Sequence, residues 1–132
     1  MRTLVKTING FEGEIHAVMD GRRLLIAKCQ PRVEVFEHSV KVNILGAPSY
    51  KVKTYQSVNV YCESIDTTRG VDVDFLRGVS RFEFVGDFQR SDGVFERLVF
   101  DNINPMDIDL TGDWSFEVEG PANLARKLID KF

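Results

Sequence analysis

Residues 38–54 read HSVKVNILGAPSYKVKT, and how this stretch is taken decides how the remainder folds. It separates two strand-like segments, Val33–Phe36 and Tyr55–Cys62. Tight hairpin loops run to about five residues and favour Gly, Asn and Asp. This stretch is much longer and carries Val40, Val42, Ile44, Leu45, Tyr50 and Val52. Its formal charges are Lys41, Lys51 and Lys53. It therefore reads as a long extended loop, not a turn. An apolar, basic excursion of this size must fold back on the body or reach a partner. We expect a partner, a second copy of the same chain.

The flanking sequence alternates with a period of two. Val33 and Val35 take one side of a strand and Glu34 the other. Val58, Val60 and Cys62 oppose Ser57 and Asn59. Upstream, residues 1–13 form an N-terminal arm in which Leu4, Val5 and Ile8 can add to a sheet edge. Glu14–Met19 and Arg22–Cys29 make a hairpin across Asp20–Gly21, residues that tolerate the positive φ of a type I′ turn. Pro31 is expected to interrupt pairing.

Downstream, Asp66–Gly70 is turn-like. Val71–Arg77 suggests a short helical segment capped by Asp72 or Asp74, ended by Gly78, with Val73, Leu76 and Phe75 inward. Ser80–Asn104 is the clearest hairpin, with Phe82, Phe84 and Phe88 on one face, a turn at Arg90–Gly93, and Leu98 and Phe100 on the return. Asn104–Pro105 should end it. Trp114, Phe116 and Val118 then face away from Ser115, Glu117 and Glu119. Pro121 opens a C-terminal helix over 121–132, whose stripe is Leu124, Ala125, Leu128, Ile129 and Phe132. The sum is mainly β: an antiparallel β-sandwich or barrel of about seven strands, with a C-terminal helix.

A chain of 132 residues is one domain by size and can bury a core without staples. Hydrophobic content of 43% against 28% charged excludes a disordered chain. Ten Phe, three Tyr and one Trp favour strands. No apolar run approaches a membrane span, and MRTLVKTING has no signal-peptide core. Cys29 and Cys62 lack metal spacing and are expected as reduced, packed thiols of a cytosolic protein. Net charge is −3 but unevenly placed. From Gly21 to Ser57 the bases are Arg22, Arg23, Lys28, Arg32, Lys41, Lys51 and Lys53, against Glu34 and Glu37. From Ser80 to Gly120, ten acids face Arg81, Arg90 and Arg97. A basic half and an acidic half suit head-to-tail association.

No catalytic constellation stands out. His16 and His38 are the two histidines, and neither sits beside a nucleophile motif. There is no phosphate-binding glycine loop and no metal-ligand spacing. Asp107 and Asp109 lack the remainder of a calcium loop. No enzyme, cofactor or metal is expected. Nothing resembles a base-stacking platform joined to a basic groove.

Four motifs, in order, resemble one family. They are Asn9-Gly-Phe-Glu-Gly13 with Asp20–Gly21; Val33-Glu-Val35 followed by Val42-Asn-Ile-Leu-Gly46 and Lys51-Val-Lys-Thr54; the Phe82–Phe100 hairpin running into Asp101-Asn-Ile103; and Phe116-Glu-Val-Glu119 with Pro121, Lys127–Leu128 and Phe132. Together they are similar to the tail-tube proteins of contractile phage tails, in the branch of PBSX-like prophages and phage-tail-like bacteriocins. The chain departs from that pattern at Glu63–Val79, which is shorter and more polar, and at Tyr55-Gln-Ser57, where a Gly/Thr-rich continuation is usual.

The resemblance implies a structural virion protein. Such proteins form hexameric rings stacked into a hollow inner tube, through which DNA passes, or which acts as a needle. Sheets from six subunits close one barrel around the lumen, and the long loop reaches a neighbouring subunit or ring. The implied partners are other copies, then sheath and baseplate proteins; the implied location is the bacterial host cytoplasm and then the tail. On that reading Val40, Lys41, Val42, Ile44, Leu45, Lys51 and Lys53 form the subunit interface. Glu83, Asp87, Glu117 and Glu119 are lumen candidates, because a polyanion slides best past a wall without basic grips. Two other readings are a different tail or baseplate component on the same fold, and a small ligand-binding β-barrel or flavin-dependent enzyme. A ligand barrel needs a pocket with convergent polar groups and gains nothing from residues 38–54.

Overall fold

The computed structural model describes residues 2–43, 45, 46, 49–68, 70–118 and 122–132. Ile44, Glu119 and Pro121, named above, lie outside them. Six strands and two helices follow in order: β1 (Arg2–Met19), β2 (Arg22–Asn43), β3 (Tyr50–Thr67), α1 (Val73–Arg77), β4 (Arg81–Gln89), β5 (Phe95–Ile108), β6 (Trp114–Val118) and α2 (Ala122–Lys131). All pairings are antiparallel. The strand order β1-β2-β3-β6-β5-β4 closes on itself, because β1 pairs with β4 through Gly10↔Phe88 to Val18↔Arg81.

The strands are fewer and longer than the sequence suggests. The N-terminal arm and Glu14–Met19 are one strand. It bends at a double irregularity, between Asn9 and Gly13 against β2 and between Gly10 and Glu12 against β4. Pro31 does not end a strand: it stands inside β2 opposite Cys62, where the β1 ladder is already broken between Asn9↔Arg32 and Gly13↔Cys29. A proline costs little where no ladder donor is demanded. Pro105 is likewise inside β5, at the register break between Pro105 and Asp107. The Asp20–Gly21 turn has both residues at positive φ, 48° and 75°, as a type I′ hairpin requires.

Alternation sets the core. Ile15, Val33, Val35, Val60, Cys62, Phe84, Phe88, Trp114 and Phe116 point inward and are fully buried. β6 is described as far as Val118, opposite Val58 and Ile103. Helix α2 packs on β3 and β2, with Ala125 and Leu128 buried in the core and Phe132 against Phe88 at 6.5 Å. The Lys6 ammonium donates to the Ile129 carbonyl at 3.2 Å, tying α2 to β1. In α1, Asp72 caps by accepting from the Phe75 amide at 2.8 Å. Phe75 and Leu76 pack on the core, but Val73 is exposed rather than inward.

Candidate assembly surface

Residues 38–43 and 50–54 are strand, not loop. β2 and β3 continue through them as a two-stranded ribbon, paired from Ser39↔Thr54 to Asn43↔Tyr50. The pairing of β1 with β2 starts at Arg2↔His38, and that of β6 with β3 starts at Val58. Past those points, among the described residues, neither outer edge of the ribbon has a strand neighbour. A lone two-stranded hairpin is marginal in water, and open edges invite pairing with other chains.

The cross-strand partners explain why the ribbon stands clear. One face carries Val40 with Lys53 and Val42 with Lys51; the other carries Lys41 with Val52 and Asn43 with Tyr50. Each face mixes valines or tyrosine with lysine, so neither forms a dry stripe to lay on the barrel. Val40, Tyr50 and Val52 are about half exposed, and Leu45 at the tip is 102% exposed, so nothing in the chain covers it. The Lys41 ammonium lies 4.5 Å from the Tyr50 ring centroid. The root is firmer. His38 stacks on Tyr55 at 4.6 Å and its Nε2 lies 2.6 Å from the Ser57 hydroxyl, while the Arg2 guanidinium sits 3.7 Å over Phe36.

The interface candidates Val40, Lys41, Val42, Leu45, Lys51 and Lys53 are thus brought together on one projection. The lumen candidates are not. Glu83 is not an open acid: it is 5% exposed, with Arg23 at 2.5 Å and Arg81 at 3.1 Å. Its burial is tolerated because both carboxylate oxygens are charge-paired. Asp87 is gripped by both forks of Arg97, at 2.8 and 3.2 Å. That hydrogen bonding holds its carboxyl below the ordinary carboxylate range. Glu117 is exposed on β6, in a row with Glu34, Asn59 and Asn104.

One feature escaped the sequence reading. Between β1 and β4 the step from Gly10↔Phe88 to Glu12↔Asp87 leaves Phe11 as the extra residue of a bulge. It turns outward and meets Phe95 edge to face at 5.2 Å. The two are 52% and 65% exposed. Their partnership depends on residues far apart in the chain; the one local signal was an aromatic between glycines with no buried face to join.

Among the described residues no group of three or more His, Cys, Asp or Glu is placed to hold a metal ion, and no helix is long and apolar enough to cross a membrane. Cys29 and Cys62 are free and buried. A hydrogen bond with Cys29, then burial, pushes the Cys62 thiol far above its ordinary range, so it is a poor nucleophile. Comparison with family models, with curated proteins and with solved structures returns no match.

Proposed function

We propose that this chain is a self-assembling structural protein of the tail-tube kind, forming hexameric rings that stack into a hollow tube. The observation that carries the reading is the β2–β3 ribbon, which among the described residues leaves the barrel with both edges unpaired, both faces wet and an uncovered leucine at its tip. A monomeric protein gains nothing from such an exposed, β-rich apolar projection. Because the strand order closes within one chain, sheet continuity between subunits runs through the ribbon edges rather than along the body. The barrel interior is filled by Phe84, Phe88, Trp114 and Phe116, which weakens the ligand-barrel alternative. The lumen wall is assigned to the face carrying Glu117, since the Glu83 region carries two arginines for one acid. Sheath and baseplate proteins are the proposed outer partners, and DNA passes without specific contact.

Deleting residues 42–51 should leave a barrel with unchanged circular dichroism that stays monomeric at every concentration. The intact chain, concentrated and viewed by negative-stain electron microscopy, should give rings or hollow filaments. Filaments from the deletion variant would sink the role given to the ribbon.

A further inference from the structure

The ribbon needs a place to dock, and the structure offers one. We infer that the ribbon of one copy seats on the Phe11–Phe95 step of a neighbouring copy. The inference rests on the tube reading above and adds the acceptor.

Phe11 and Phe95 are each more than half exposed, side by side. They open a shallow hollow of about 400 Å³ shared with Asp87, Glu96 and Arg97. A second hollow adjoins it through the same Asp87 and Arg97, and adds Glu12 and Glu14. Arg97 is committed to Asp87, and Lys131 and Arg90 to Glu96; Glu12, with Glu14 beside the His16 ring at 3.2 Å, supplies the surplus negative charge. The surface is therefore an aromatic step beside an acidic shelf. The ribbon is its complement: Val40, Leu45, Tyr50 and Val52 for the step, Lys41, Lys51 and Lys53 for the shelf. Since both ribbon faces mix apolar and basic side chains, the match holds for either face. Apolar anchors would carry affinity, and the charges the approach and register.

The topology keeps the two surfaces apart in one chain. Arg2↔His38 sets the start of β1 at the ribbon root, and Gly10↔Phe88 sets the β4–β5 turn toward the same end of the barrel. Around the closed order, β1 on one side and β6 on the other separate β2 and β3 from β4 and β5. Phe11, Glu12 and Glu14 lie on β1 beside residues 28–31 of β2, whereas the ribbon runs on past His38, so a copy's ribbon points away from its own step and meets that of another copy. Such a contact is heterologous, the kind that closes into a ring where the rotation allows.

Charge exchange tests this. Lys41→Glu/Lys51→Glu/Lys53→Glu reverses the donor, and Glu12→Lys/Glu14→Lys reverses the acceptor. Each variant alone should need about tenfold more protein, or more, to half-assemble at low salt. Mixed in equal amounts, the two variants can alternate, every contact is then again between opposite charges, and sedimentation and microscopy should show rings return. Phe11→Ser, which leaves these charges alone, should weaken assembly at all salt concentrations. If the wild type assembles but the mixture does no better than either variant, or the Glu12/Glu14 variant assembles unimpaired, the acceptor is elsewhere and the tube reading survives. A wild type that stays monomeric, even with preformed baseplates, overturns both.

Discussion

Replacing Trp114 with alanine should lower the unfolding free energy by about 3–5 kcal/mol, the range for truncating a buried tryptophan. Trp114 is 1% exposed, and its ring lies 6.2 Å from that of Phe116. The side chain also holds a turn in place. Its indole nitrogen donates to the Asp109 carbonyl at 2.8 Å. The Asp109 carboxylate in turn accepts from the Thr111 amide at 2.9 Å and hydroxyl at 2.8 Å. Those bonds hold the Asp109 carboxyl below its ordinary range and fix the connection from β5 to β6. Alanine thus removes packing from the core and an anchor from the turn. Trp114→Phe keeps much of the packing and loses the donor, so about 1–2 kcal/mol is expected. Urea unfolding with a shared m-value reads both. Equal losses for the two variants would show that the hydrogen bond, not the packing, is the main contribution.

The second large effect concerns glycine. Phe88 is fully buried, with a glycine against each edge of its ring. A Cβ at Gly86 would come 2.7 Å from Phe88 Cε2 and 2.6 Å from Phe84 Cζ. At Gly10 it would come 2.8 Å from Phe88 Cε1, 2.6 Å from Pro31 Cγ and 3.0 Å from the Asp87 carbonyl oxygen. Neither ring can swing away, because the surrounding strands and Phe132 hold the space. Gly86→Val should therefore cost about 3 kcal/mol, the upper part of the overpacking range. The explanation is specific to the ring, so Phe88→Leu should absorb part of the insult. The double variant is expected to be more stable than the sum of the two single losses predicts. Strict additivity would show that Phe88 is not what the added methyls strike.

Much of the barrel could be read along the chain. The runs Phe82-x-Phe84 and Trp114-x-Phe116 announce their buried face, because a half-buried strand has a period of two. Asp20–Gly21 names its own turn. What could not be read was continuity. Pro31 and Pro105 look like strand ends, yet each falls at a register break that only the neighbouring strands define. Residues 38–54 looked too long for a turn because the flanking strands were ended too early; Lys51-Val-Lys53 was itself the returning strand. The proposed donor ribbon was legible as an unusual stretch, since local composition marks it. The Phe11–Phe95 pair was not, since the two rings meet only through β1–β4 and β4–β5 pairing. Glu83 misled for the same reason: alternation makes it a wet acid, and only the closed order brings Arg23 to it.

The bond from Lys6 to the Ile129 carbonyl has a kinetic meaning. Chain synthesis is vectorial, so β1 emerges first and its β4-facing edge must wait for residues 81–89, and its helix for residues 122–131. Closure is a long-range event, and such events pay their loop entropy before any contact rewards them. Throughout that interval the nascent chain shows a half-finished sheet together with the β2–β3 ribbon, the two surfaces most apt to catch another chain. In a cell making many copies at once, the moment at which the seam shuts decides how long those edges stay open to other chains.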